Sequence, residues 1–540
     1  MLPSFFRIWP ETVCRFSIDD GISPKINDPK GPRIGQITFT KNGIVKLLKD
    51  LDPNKASGPD GISTRILKEC ADEISNFLIL LFTASLHQGK APHDWKQATI
   101  TPIYKGGNKN RSKPENYRPV SLTSTTCKIM EHIIHSHVMS HFDRANILSD
   151  SQHGFRKYRS CETQLIQTIH DIAKSVNDKE QIDSILLDFS KAFDKVGHRK
   201  LILKLKHYGI NGDILNWISD FLHDRTQRVV VRGTSSKHSA VISGVPQGTV
   251  LGPLLFLAYI NDMPLEADSK LALFADDSYL YRKIMSPKDA EQLQKDLNKL
   301  VVWEQKWSME FHPEKCKLLR ITNKRKIIDT CYQIHGQEIE KVDKAKYLGL
   351  TLQKDLLWNT HISNICAKAN NTRFFLQRNL VKSNPEMRLK CFKIFIRPTL
   401  EYASTVWDPA GNETLKAKIE MVQRKSLRWI YSSWQQTVSP TMLRRKADLE
   451  TLNERRCKAR VKMLHEIHYS TKQVNKAMIP TKQRCVNVKF NPIQGRIKIY
   501  ANSFVPSTVE LWNKLPTNLA NTKDLNEFKK EMNRVLISDL

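Results

Sequence analysis

Apolar residues that return every third or fourth position alternate with short runs of crowded or singly alternating apolar residues. That mixture predicts an α+β chain. Ile44, Leu47, Leu48 and Leu51 step at helical spacing from about residue 40, and Ile66, Leu67, Ile74, Phe77, Leu78 and Leu81 do so over 64–88. Between them, residues 51–61 are dense in Pro, Gly and Asp and read as a loop. Helices are also predicted over 126–142, 162–176, 198–222 with a break at Gly209, and 286–307. Strands are predicted at 98–105, 228–232 and 318–322, at the apolar run Ile185–Leu187, and in a hairpin edge at 346–352. From about residue 359, Ile362, Ile365, Ala369, Leu376 and Leu380 mark another helix, with Lys368, Arg373, Arg378 and Lys382 on its other faces. Near the end, 497–505 reads as a β portion before a closing helix.

The stretch that organises the rest is Leu271–Tyr281, where two apolar, aromatic-rich runs flank Asp276 and Asp277. It predicts a strand, a tight acidic turn and a second strand. Two carboxylates this close among buried neighbours are unfavourable unless one takes a proton or a cation joins them. A hard divalent cation suits carboxylate oxygens. The alternative is a solvated turn, and Asp19-Asp20, followed by Gly21 and Pro24, is read as one.

Charge narrows the class. Lys plus Arg number 85 against 55 Asp plus Glu, a formal +30 spread along 540 residues, which favours a polyanionic partner, most simply nucleic acid. Apolar runs such as Phe77–Phe82 are far short of a membrane span, and no basic n-region precedes an apolar h-region at the start. The ten cysteines are scattered with no Cys-x-x-Cys pair, which argues against zinc fingers and disulfide frameworks. An intracellular chain, nuclear or cytoplasmic, is expected.

Further chemistry falls at element ends. Asp188 follows Ile185–Leu187, so its carboxylate sits at the tip of a buried strand; a helix N-cap is the compatible alternative. Ser243-Gly-Val-Pro-Gln-Gly-Thr-Val-Leu-Gly-Pro253 is a Gly- and Pro-rich loop entering an apolar helix, which lets backbone approach a ligand closely. It lacks the Gly-x4-Gly-Lys spacing of a Walker loop. Lys105 and Arg118 are candidates for gripping phosphates, or solvated cations. Arg156 and Arg159, in a Gly-containing basic loop, are candidates for nucleic-acid backbone contacts, or members of an ordinary exposed turn. If two antiparallel strands lie side by side, their tips bring Asp188, Asp276 and Asp277 within reach of two shared Mg2+ ions, the arrangement of in-line phosphoryl displacement.

In this order, these residues resemble the motifs of reverse transcriptases of non-LTR retrotransposons, the jockey-like group in particular. Asp188-Phe-Ser-Lys-Ala-Phe-Asp194 is similar to the first acidic motif, Ser243–Pro253 to the nucleotide and template loop, and Phe274-Ala-Asp-Asp277 to the metal-binding hairpin. Asn116-Tyr-Arg-Pro-Val-Ser-Leu122 and Gln152-His-Gly-Phe-Arg156 resemble fingers motifs; Trp303–Lys315 and Tyr347-Leu-Gly349 resemble later palm motifs. The likeness covers roughly 51–352. It implies a right-hand polymerase of fingers, palm with a small antiparallel sheet, and helical thumb, plus a mainly helical basic C-terminal region. The implied segments are an extension (1–45), a helical part of the fingers (46–90), fingers and palm (91–355), thumb (356–435) and a basic C-terminal region (436–540).

The resemblance assigns two Mg2+ ions, replaceable by Mn2+, to Asp188, Asp276, Asp277 and the Phe189 carbonyl. It makes Phe193 a steric gate against a 2′-hydroxyl, where a core aromatic is the plain alternative. Gln247 and Gly248 line the nascent base pair, Lys105 and Arg118 bind the triphosphate, and Lys315 donates a proton to pyrophosphate. Lys368, Arg373 and Arg378 grip the duplex backbone. The implied partners are an RNA template, a DNA primer, their hybrid and dNTPs, with no membrane. Too few residues precede Leu51 for an endonuclease domain, so the chain is expected to be the polymerase part of a larger element or a truncated or independently expressed copy, with any endonuclease supplied by another chain. Phe193 argues against an RNA-dependent RNA polymerase, as does Ala275, where viral replicases carry Gly; an inactive relic and an intron maturase are the other readings.

Overall fold

The computed structural model describes residues 24, 32–107, 110–435, 437–469, 472–480 and 488–535. The turn expected at Asp19-Asp20, most of the 1–45 extension and Lys109 lie outside the described residues. The chain divides into two units, each assembled from separated segments. The first takes 1–155, 188–268 and 296–312; the second takes 156–187, 269–295 and 313–540.

In the first unit, Thr40 caps the helix Lys41–Lys49 by accepting from the Gly43 amide. The helix expected over 64–88 is two, Thr64–Glu69 and Ala71–His87, with the break at Cys70. Five strands form its sheet. Gln97–Tyr104 pairs antiparallel with Tyr117–Leu122 and parallel with Arg225–Val231, which also pairs with Thr234–Ser235 and Ser239–Val241. Arg118 therefore lies on a strand, opposite Ile103. The helix Leu251–Ile260 is apolar on every side and almost wholly buried, as such a helix must be. Its N-terminus is satisfied by the buried Glu131 of the helix Thr125–Arg144, whose carboxylate accepts from the Val250 and Leu251 amides at 2.8 and 3.0 Å.

The second unit is built on a sheet ordered Glu340–Lys341, Lys317–Ile321, Gln181–Leu187, Asp277–Ile284, Lys270–Phe274. Its central strand Gln181–Leu187 pairs antiparallel on both sides. Leu348 and Gly349 take φ of +42° and +86° between the paired strands Lys344–Tyr347 and Leu350–Gln353. Positive φ at both central residues matches the twist of a two-residue hairpin. The helices Cys161–Asn177, Asn359–Asn379, Glu413–Ile430 and Leu452–His468 share one apolar core with this sheet, filled by Trp407, Trp429 and Trp512. The β portion expected at 497–505 is helical: Lys498–Ala501, then Phe504–Asn513. Tyr500, Phe504 and Val505 are buried there at helical spacing, and Pro506 sits in a first turn, where its missing N–H is harmless. Packing of that face outweighs the β preference of Ile497, Ile499 and Val505.

Candidate active site

In the acidic hairpin Phe274 pairs directly with Asp277, leaving only Ala275 and Asp276 in the turn. Ala275 takes φ +53°, the first-position geometry of a tight hairpin turn. Leu271, Leu273 and Ser278–Tyr281 are buried, and Tyr279 stacks on Tyr347 at 4.5 Å. Asp276 and Asp277 are exposed. The neighbours are buried as expected while the two carboxylates themselves are exposed, so burial alone does not compel a cation. Leu187 pairs with Ser278, and Leu186 with Lys317. Lys315, exposed in the 3-10 turn Pro313–Lys315 two residues before Lys317, thus belongs to the same end of the sheet as the hairpin tip. Among the described residues, no group of three or more His, Cys, Asp and Glu side chains is arranged as a metal cage.

Asp188 is the next residue after Leu187 and the first of its segment in the first unit. Its carbonyl accepts from the His312 amide at 2.8 Å, and the Ser190 amide donates to the Glu310 carbonyl at 2.8 Å. These bonds make an antiparallel bridge of Phe189 with Phe311 without using the Phe189 carbonyl. Phe189 is buried, stacked on the Phe311 ring at 4.6 Å. Asp188 is half-buried on a backbone held from both sides.

Phe193 is also half-buried. Its ring stacks on Phe256 at 4.3 Å and meets Phe155 edge-on at 6.4 Å. Its carbonyl accepts from the Val245 amide at 2.9 Å, which joins the turn after Asp188 to the Gly-rich loop. At Gly244, φ +88°, a Cβ would lie 2.8 Å from the Asp194 carbonyl oxygen. At Gly248, φ +111°, a Cβ would lie 2.7 Å from the Ser121 carbonyl oxygen. Both positions need glycine for conformation and for room. The Ser121 amide donates to the Gln247 carbonyl at 2.8 Å, and the Gln247 side-chain amide donates to Asp194 Oδ1 at 3.3 Å. Asp194, Ser121, Pro246 and Gln247 line a cavity of about 40 Å³, room for about one water. Burial pushes the Asp194 carboxyl up to about 6. The structure thus brings Phe193, Gln247 and Gly248 together. Asp194 and Glu131 had no assigned role in the sequence reading. Asp194 lay inside a recognised motif, but neither its partner at 247 nor Glu131's at 250–251 is signalled by local spacing.

Lys105 and Arg118 stand on one β-hairpin, where Tyr104 pairs with Tyr117. Lys105 Nζ donates to the Glu115 carbonyl at 2.7 Å, and Arg118 is exposed. In the second unit Arg156 is half-buried, and Arg159 donates from Nε to Gln473 at 3.2 Å. Lys368 and Arg378 are exposed on the helix Asn359–Asn379. Arg373 is not on an outer face: it is 4% exposed, and its guanidinium donates to Asn370 and Gln377. Its position falls on the stripe with Ile362, Ala369 and Leu376, which corrects its expected place on an outer face.

Residues 105–352 match the family described as reverse transcriptase (RNA-dependent DNA polymerase). The chain therefore carries a reverse transcriptase domain. It is 30% identical over 436 residues to the RNA-directed DNA polymerase from mobile element jockey of Drosophila melanogaster, covering 78% of this chain and 46% of that protein. It is 30% identical over 436 residues to the probable RNA-directed DNA polymerase from transposon BS of the same organism, covering 76% and 46%. The probable RNA-directed DNA polymerase from transposon X-element, also from Drosophila melanogaster, is 29% identical over 396 residues, covering 72% and 43%. Over most of its length the chain is similar to these RNA-directed DNA polymerases of mobile elements. It spans a little under half the length of these relatives.

Proposed function

We propose that this chain is an RNA-directed DNA polymerase that extends a DNA primer on an RNA template, copying a non-LTR retrotransposon. The observation that carries the reading is a register: Leu187, just before Asp188, is the cross-strand partner of Ser278, just after Asp277. Asp188, Asp276 and Asp277, with the Phe189 carbonyl, would hold two Mg2+ ions, for which Mn2+ can substitute. Such ions, when bound, favour the ionised 3′-hydroxyl and neutralise charge on the triphosphate and leaving pyrophosphate. The donor set suits them. Mg2+ takes one or two carboxylates and completes its shell with water and substrate phosphates, not a full protein cage. Exposed carboxylates at a rigid turn are such donors, ready for ions that arrive with a nucleotide.

The chain's own groups do the rest. The stack of Phe193 on Phe256 fixes a ring that excludes a 2′-hydroxyl beneath the incoming sugar. Gln247 and Gly248, held against Ser121, line the nascent base pair. Lys105 and Arg118 bind the triphosphate through charge-assisted hydrogen bonds. Lys315 supplies a proton to the departing pyrophosphate. Arg156, Arg159, Lys368 and Arg378 contact phosphates of template and primer, orienting them without reading sequence. Residues 91–355 serve as fingers and palm, with the five-stranded sheet of the second unit in the palm, 356–435 as thumb, and 436–540 as a basic C-terminal region.

The test is extension of a DNA primer on an RNA template with dNTPs and Mg2+. The chain is expected to extend it, to stop on chelation, and to resume with Mn2+. No extension in either ion contradicts the proposal. Phe193→Val is expected to admit ribonucleotides at least about tenfold better relative to dNTPs, as loss of about 1.4 kcal/mol of discrimination would give. Unchanged sugar selection returns Phe193 to a packing role.

A further inference from the structure

We infer that Asp194 is a positioning residue that locks the loop contacting the base pair to the turn bearing the sugar gate, so that both selections depend on one joint. The inference rests on the polymerase reading of Phe193 and Gln247. Four hydrogen bonds tie the loop to residues 193–196. Ser243 Oγ donates to the Asp194 carbonyl at 2.9 Å, the Gly244 amide to Val196 at 2.8 Å, the Val245 amide to Phe193 at 2.9 Å, and the Gln247 side chain to the Asp194 carboxylate at 3.3 Å. Only the last involves a side chain of the turn.

The approach at Gly244 leaves no room for a side chain between the two segments. On its far side Gln247 is held through its carbonyl by Ser121, so the Asp194 carboxylate sets the rotamer of an otherwise anchored residue. Charge within that small cavity also matters, because a hydrogen bond to an ionised acceptor is roughly twice as strong as a neutral one. Truncating the carboxylate frees the Gln247 amide and lets the loop part from the gate. A loosened joint binds the nucleotide less well but leaves the acids that carry the chemistry in place.

The experiment compares Asp194→Ala, Asp194→Asn, Gln247→Ala and the double variant Asp194→Ala/Gln247→Ala by steady-state primer extension. Asp194→Ala and Gln247→Ala are each expected to raise KM for dNTP about tenfold while kcat falls less than about threefold, the pattern of lost nucleotide binding. The double variant is expected to be no worse than either single one, because both remove the same bond. Asp194→Asn, whose Oδ1 still accepts, is expected to bring KM back within about threefold of the parent. An unchanged KM in Asp194→Ala, or penalties that multiply in the double variant, overturns the inference. A second readout needs no activity: hydrogen exchange at the Gly244 and Val245 amides should accelerate at least about tenfold in Asp194→Ala and not in Asp194→Asn. Equal exchange in all variants overturns it too. If the parent chain extends no primer, the polymerase reading falls alone, and the exchange measurement still decides the joint.

Discussion

Asp194 carries a carboxyl that burial holds up to about 6, with Lys191, the Gln247 hydrogen bond and Lys105 opposing the rise. Between the ordinary carboxylate range and pH 6 the folded chain keeps a proton there that the unfolded chain has released. Its stabilisation is complete at low pH and is lost as pH rises through about 6. Asp194→Asn cannot ionise, so its Tm relative to the parent is expected to increase between about pH 4.5 and 7.5. A Tm difference that stays flat across that range contradicts the placement. The places of Asp188 and Asp277 at strand ends, and of Asp276 in the turn, were legible in the sequence because apolar runs flank them, a local signal. Asp194, Glu131 and the inward turn of Arg373 were not. Their meaning depends on partners brought by folding, and a charged letter looks the same on either side of a helix.

Elements were read best where periodicity and turn chemistry agreed. The acidic hairpin and the Leu348–Gly349 hairpin stand where the sequence placed them. The 497–505 segment did not, since β-branched residues there serve a helix whose burial decides the matter. A second feature hidden from the sequence is the ion cluster that ties the helix Leu452–His468 to its neighbours. Asp408 accepts from Arg456 Nε at 2.8 Å and from Arg460 Nη1 at 2.9 Å, and all three are buried. Removing the shared anion strands two guanidinium groups in the core. Asp408→Ala is expected to cost about 3–5 kcal/mol, seen as an earlier midpoint in urea. A loss of less than about 1 kcal/mol would mean water reaches the cluster.

At the scale of the molecule, the α+β class followed from pattern and the expectation of a nucleic-acid partner from charge, while the way the chain divides did not. It leaves the second unit at Leu187, returns at Ser269, leaves again at Lys295 and returns at Pro313. Segment boundaries read along a sequence cannot express that exchange, and the core of the second unit includes residues on both sides of the boundary expected near 355. No helix among the described residues is long and apolar enough to cross a membrane. Under the proposed function the +30 charge serves phosphate binding. Affinity for an RNA template is expected to fall about a thousandfold or more between about 50 and 200 mM salt if six or more phosphates are contacted. A fall of less than about threefold would assign the charge to another purpose.

The measurement that bears most directly on the account pairs primer extension with template binding for the parent chain and Asp276→Asn. The parent is expected to extend, and the variant to lose at least about a thousandfold in rate, since an ion-holding carboxylate contributes several kcal/mol of transition-state stabilisation. Template affinity should stay within about threefold, because the hairpin tip, Ala275-Asp276-Asp277, carries no cation to meet a phosphate. Extension by Asp276→Asn at the parental rate would contradict the assignment of the acidic hairpin to catalysis.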